Sequence, residues 1–200
     1  MLPYVVSYLY SAGNQRRRLI SRIIFQCAPF FKGLKVSALI SLDYEDLWTL
    51  DDIFSGTDIK CRVLAEGRRN GLAFLFREKE FKSCLNRKGV GEFLEDFGYI
   101  DQDMEAVLLR LSKRTSQTYC KDKDFPHEIG VFLDYPLEDV KGFIREKGRN
   151  SLLNGYWKVY HNPGKAQMTF HAYDKAKVSA VNELLMGKTL GDIIQPFFTS

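Results

Sequence analysis

The stretch from Phe125 to His161 constrains the fold of this chain more than any other part of the sequence. It holds two dense blocks, FPHEIGVFLDYPLEDV over residues 125–140 and GYWKVYH over residues 155–161. Each reads as an apolar run, a proline-marked turn and an amphipathic helical pattern. The run Ile129–Leu133 is continuously apolar, which predicts a strand covered on both faces. Pro136 suits a first helical position, with its φ pre-set and no N–H to leave unpaired. Glu138 and Asp139 then fall in the first turn, where negative charge meets the positive end of the helix dipole. Leu137, Val140, Phe143 and Ile144 form the expected buried face, and Gly148 the stop. The second block predicts a strand over Tyr156–Tyr160, with Asn162 as cap and Pro163 as first helical residue. Its helix should run to about Met186, with Ala166, Phe170, Tyr173, Ala176 and Leu184 as the apolar stripe.

The preceding residues add an N-terminal set of elements. Leu19, Ile20, Ile23, Ile24 and Cys27 recur at helical spacing over residues 15–27, with arginines on the other face. Pro29 is expected to stop that helix. Residues 36–42 fit a strand, and Asp43 could cap a helix over 44–55 ended by Gly56. Residues 61–65 and 72–76 flank an Asn70-Gly71 pair, a hairpin signal because both residues accept positive φ. Short helices are expected over 78–86 and 90–97, broken near Gly89, and a longer one over 101–114. Residues 115–124 are polar and read as a linker or surface loop. A last short helix is expected over Thr189–Phe197. The fold class is therefore α+β: a small mixed sheet with a β-hairpin at about 60–76 and two C-terminal strand–proline–helix units, flanked by helices. The sequence divides into an N-terminal helix–strand–hairpin lobe (1–120) and a C-terminal strand–helix lobe (125–200), packed as one globular unit.

Bulk properties narrow the function classes. Of the 200 residues, 45% are hydrophobic, enough for a sizeable core. The net charge of +4 is mildly basic, short of the clustered excess of a dedicated nucleic-acid domain. The one dense basic run, Arg16-Arg17-Arg18, reads either as a solvated helix face or as a phosphate-binding patch. The cysteines Cys27, Cys61, Cys84 and Cys120 form no CxxC pair and no zinc-type spacing, and read as free thiols in a reducing compartment. Met1–Tyr10 is apolar, but the arginines follow it, the reverse of a secretory signal. No apolar run approaches the ~20 residues that cross a bilayer. The expected location is the cytoplasm.

The two blocks resemble an uncharacterised bacterial family of about this length, a domain of unknown function. Its pattern joins a Cys-Ala-Pro segment and a Gly-x-Lys to the FPHEIGxFLxYPxEDVxGFI and WKVY blocks. Here these are Cys27-Ala28-Pro29, Gly33-Leu34-Lys35, Phe125 to Ile144, and Trp157-Lys158-Val159-Tyr160. The resemblance spans nearly the whole chain. It implies a shared fold without an activity, and an association with flavodoxin-like and iron-handling genes that brings a redox-carrier protein into view as a partner. Family members carry further cysteines around the WKVY block and the following helix. This chain has none at Ser151–Tyr156 or Tyr173–Ala176, so the resemblance implies no cysteine-rich metal site here.

Several residues could carry chemistry. His127 beside Glu128 could act as a general base. Neighbours on a strand face opposite ways, however, so Glu128 would not orient it, and the favoured reading has His127 bond a backbone group and fix the strand entry. Cys27 follows a basic helix but shares its apolar stripe, so a buried small hydrophobe competes with a nucleophile. His127, His161 and His171 have no metal-ligand spacing, and no metal is expected. In the aromatic strand, Tyr156, Lys158 and Tyr160 should share one face and Trp157, Val159 and His161 the other. Such a face could stack a flat ligand or RNA bases, or simply pack on a helix. Ligands of open α/β sheets sit beyond the carboxyl ends of strands, which directs attention to Asp134, Tyr135, Trp157, Tyr160, His161 and Asn162. There is no P-loop, no GxGxxG and no GxSxG elbow.

The resulting expectation is a binding module for a small planar ligand or a protein partner such as a redox carrier, with no cofactor specified. The alternatives are an enzyme using Cys27 or His127, and an RNA-binding protein using Arg16–Arg18 and the aromatic strand.

Overall fold

The computed structural model describes residues 13–99, 103–119 and 125–194. The chain forms two compact units: Val36–Ala166, and a smaller one whose described residues are 13–35 and 167–194. The α+β class holds, with small antiparallel sheets among many helices.

The larger unit is built on three antiparallel strands, β1 (Ser37–Asp43), β2 (Ile59–Glu66) and β3 (Asn70–Arg77), in the order β1-β3-β2. The central strand is buried from Gly71 to Arg77, which explains its unbroken apolar run. The predicted hairpin forms, with a register shift between Val63 and Ala65. Its turn lies elsewhere than expected, however. Gly67 N–H donates to Asn70 O at 2.7 Å, so Arg68-Arg69 is the corner and Asn70-Gly71 already belongs to β3. Neither Asn70 nor Gly71 has a positive φ. Glycine serves close approach instead: a Cβ on Gly71 would sit 2.5 Å from Leu47 Cδ1 and 2.8 Å from Ala65 O.

Residues 44–55 form two short turns, α2 (Tyr44–Leu47) and α3 (Leu50–Ile53), rather than one helix. Asp43 stands at the cap position, but its side chain does not cap. Then follow α4 (Glu78–Leu85) and α5 (Val90–Glu95), separated at Gly89, whose φ is +77°. The next helix, α6 (Met104–Tyr119), continues through residues 115–119, where a loop was expected; residues 120–124 lie outside the described residues. It lies against β2. Phe81 joins the sheet to the C-terminal block, with ring centroids 5.3 Å from Phe74 and 6.0 Å from Phe132.

The predicted strand at Ile129–Leu133 is a helical turn, α7 (Ile129–Phe132). All five residues are buried as expected, yet the backbone closes locally: Gly130 N–H donates to His127 O and Val131 N–H to Glu128 O. A short apolar run signals burial without signalling period, and helix and strand share that signature. Pro136 is the cap residue, with ψ 131°, and α8 (Leu137–Arg145) starts one residue later than predicted. Val140 is fully buried, whereas Leu137, Phe143 and Ile144 are half-buried. The expected strand Tyr156–Tyr160 shrinks to β5 (Lys158–Val159), paired with β4 (Leu153–Asn154). Asn162 caps α9 (Pro163–Leu185), accepting from Lys165 N–H at 3.2 Å.

In the smaller unit, α1 (Gln15–Phe31) opens on Asn14, whose Oδ1 accepts from Arg17 N–H at 2.9 Å. Pro29 does not stop it. A proline clashes with the carbonyl four residues back, but only two helical residues follow this one, and Pro29, Phe30 and Phe31 are all buried. The stop is Gly33 at φ +70°, with Leu34 N–H returning to Pro29 O at 2.8 Å. Within this unit Tyr173, Ala176, Ala180 and Val181 of α9 are buried. The last element, α10 (Leu190–Ile193), has a Thr189–Asp192 capping box; residues 195–197 of the expected helix lie outside the described residues. Among the described residues, no helix is long and apolar enough to cross a membrane.

Candidate functional site

The turn α7, helix α8 and the β4–β5 hairpin line a half-open cavity of about 380 Å3. Phe125, Ile129, Tyr135, Val140, Phe143 and Trp157 supply its apolar lining. His127, Asp139, Asn154 and Lys158 bring polar groups to it. Glycine sets the close approach on one side: a Cβ at Gly130 would lie 2.8 Å from Val140 Cγ2 and 3.3 Å from Tyr135 Cδ2.

One buried carboxylate organises the wall. Asp139, in the first turn of α8, is 2% exposed. Its Oδ1 accepts from the backbone N–H groups of Tyr160 and His161, both at 2.7 Å. Its Oδ2 accepts from the indole Nε1–H of Trp157 at 2.7 Å. Hydrogen bonds to an ionised acceptor are the strong ones, so three of them tie the hairpin and its tryptophan to α8. Gly142, one turn further along α8, lets Tyr160 lie flat on the helix; a Cβ there would be 2.5 Å from Tyr160 Cβ.

Trp157 stacks on Tyr135, with centroids 5.1 Å apart and planes 27° from parallel. Burial pushes the Tyr135 hydroxyl up from its ordinary pKa, so it stays protonated at neutral pH. The chain reaches Tyr135 through Asp134, which adopts φ +66°. His127 is exposed at the cavity and packs edge-on to Phe143, centroids 4.9 Å apart. Lys158 Nζ donates to Gly148 O at 2.6 Å and lies 5.9 Å from the Phe143 ring.

The six candidate residues therefore separate. Tyr135 and Trp157 line the cavity together. Tyr160 and His161 contribute backbone N–H groups to Asp139, while the His161 side chain is exposed. Asp134 turns to α4, accepting from Arg87 Nη1 at 2.6 Å and from Cys84 Sγ at 3.8 Å. Asn162 caps α9. The expected alternation of faces fails because Trp157 sits in the hairpin bend, and it lines the cavity alongside Lys158.

Glu128 does not orient His127. It is 0% exposed, and its Oε1 accepts from Arg114 Nε and from the Tyr99 hydroxyl. The Cys61 and Cys84 thiols are poor nucleophiles: both are pushed up to about 12, first by burial and then by Asp51 and Asp134 respectively. Cys27 is 1% exposed and belongs to the smaller unit, whereas His127 belongs to the larger. Cys120 lies outside the described residues. Among the described residues, no group of three or more His, Cys, Asp or Glu is placed to hold a metal ion.

As site residues, sequence reasoning passed over Asp139, Phe143 and Phe125; it placed Lys158 on a stacking face shared with Tyr156 and Tyr160. Asp139 carried a signal in its spacing: it precedes Val140 and lies one turn before Phe143, which puts a carboxylate on the apolar face of α8.

A family model described as "Protein of unknown function (DUF3793)" matches residues 23–194. The chain belongs to that family. The match runs from the middle of α1 past the end of α10, and so includes every residue of the cavity. No curated protein and no solved structure matches this member of DUF3793.

Proposed function

We propose that this DUF3793 protein is a binding module for a small planar ligand, taken up in the cavity bounded by α7, α8 and the β4–β5 hairpin. The observation that carries the reading is the Tyr135–Trp157 stack at a largely apolar cavity of about 380 Å3, with the indole held in place by Asp139. Ligand sites are concave, mostly apolar and supplied with a few placed polar groups, and His127, Asn154 and Lys158 are such groups here. Rings held rigid before binding lose little freedom on association, which favours affinity. Binding is preferred to thiol catalysis because Cys27, the thiol of that alternative, is 1% exposed and is not among the cavity-lining residues.

Saturation-transfer NMR with 2-naphthol as the probe tests this. Saturable transfer is expected from the wild-type protein. Trp157→Ala should weaken it by about tenfold, the scale of one lost aromatic stacking partner, while circular dichroism verifies that the variant is folded. Absence of saturable transfer, or an unchanged affinity in folded Trp157→Ala, would overturn the proposal.

A further inference from the structure

We infer that the ligand of this cavity is a planar aromatic acid, its ring placed against the Tyr135–Trp157 side and its anionic group met by Lys158; this rests on the binding reading above. The charges at the cavity support that choice. Asp139 is the one carboxylate of the lining, but both its oxygens accept from N–H groups, three in all. Those donors, together with the first-turn position in α8 where the helix dipole is positive, offset its charge locally. Three of the roughly four acceptor positions of Asp139 are taken, so a ligand cation would meet a carboxylate already largely satisfied. Lys158 differs. It is exposed, its Nζ donates to a neutral carbonyl, Gly148 O, and no carboxylate among the described residues pairs with it. An ammonium has three donors, so two remain after the Gly148 bond. His127 stands at the same cavity, and its ring nitrogens add polar capacity beside Phe143. A neutral aromatic would leave the ammonium without a countercharge; an aromatic carboxylate supplies one.

The test compares 2-naphthoate with its near-isostere 2-naphthamide by the same NMR titration at low salt. The acid should bind about three- to fivefold tighter, the scale of an exposed ion pair, and the advantage should shrink at high salt. Lys158→Met should abolish the difference, and Lys158→Arg should keep it. Equal binding of the two probes, tighter binding of the amide, or a preference that survives Lys158→Met would overturn this inference while leaving the cavity reading intact. If neither probe binds, the cavity reading falls, and this inference with it.

Discussion

Asp139 and Glu128 lie eleven residues apart, at 2% and 0% exposure, and they are satisfied in opposite ways. Asp139 is held wholly by neutral N–H donors, and each of its oxygens is used. Glu128 is held by a cation, Arg114, and by the Tyr99 hydroxyl, both on Oε1; its Oε2 is buried without a hydrogen-bond partner among the described residues. The two pairings do different work. Neutral donors need no desolvated countercharge, so Asp139 can stand at a cavity wall and position a tryptophan there. An ion pair at a buried carboxylate desolvates Glu128 wholly and Arg114 in part, and Glu128, between the lining residues His127 and Ile129, joins the loop before α7 to helix α6. One carboxylate shapes a site, and the other fastens the scaffold around it.

The widest separation between the two should come from Arg114→Met. Methionine keeps the apolar stem but leaves Glu128 as a buried carboxylate with a single hydroxyl partner. Breaking a buried pair from one side is expected to cost about 3–5 kcal/mol, read as a lower urea midpoint. A second change, Glu128→Met, made in the Arg114→Met background should recover part of the loss, because the unpaired charge is gone.

Asp139→Asn should cost less, about 1–3 kcal/mol, the penalty of an unsatisfied buried donor. Whichever way the amide turns, its NH2 faces either the Trp157 indole N–H or the two backbone N–H groups. The distinguishing readout is local: Trp157 fluorescence should shift to the red, whereas Arg114→Met should leave it in place. A Trp48→Phe background isolates the signal, since Trp48 is the other tryptophan.

The smallest effect concerns a third carboxylate, in the other unit. Glu183 accepts from Lys32 Nζ at 2.6 Å, from Ser179 Oγ at 2.8 Å and from Lys188 Nζ at 3.1 Å. The Lys32 bond, followed by the Ser179 and Lys188 bonds, lowers its pKa from 4.5 to about 2. A carboxylate depressed on folding stabilises above its unfolded pKa and loses that contribution as pH falls through the folded value. Acid titration followed by circular dichroism should therefore show a contribution present above pH 4.5 and lost towards pH 2. In Lys32→Met the contribution should be smaller and its loss complete at a higher pH, because only the folded value rises while the onset stays at the unfolded one. An acid limb unmoved by Lys32→Met would remove Glu183 from the comparison.

Much of the framework was legible because it rests on local chemistry. The α1 stripe, the 59–77 hairpin, the break at Gly89 and the Asn162–Pro163 start of α9 each follow from spacing, from glycine at positive φ, or from a cap and a pre-set proline. The family resemblance was legible too, carried by the two blocks. What misled was period. The apolar run Ile129–Leu133 reads as strand or helix alike, and its helical closure depends on what covers it: Phe81 and Tyr99 against Phe132, and Val140 against Gly130. The same holds for the turn at Arg68-Arg69, where strand register, rather than the Asn-Gly pair, places the corner.

By itself the sequence determined that Ile129–Leu133 would be buried and that residues 125–161 would be aromatic and punctuated by prolines, because hydrophobicity and backbone restriction are properties of each residue in place. Only the tertiary structure decided that Asp139 reaches across to Trp157, Tyr160 and His161, residues 18 to 22 further along the chain. That union builds a wall of the cavity, and no local rule encodes it. A carboxylate in a first turn satisfies the helix dipole equally well facing water, and its burial becomes favourable only when folding brings three N–H donors to meet it.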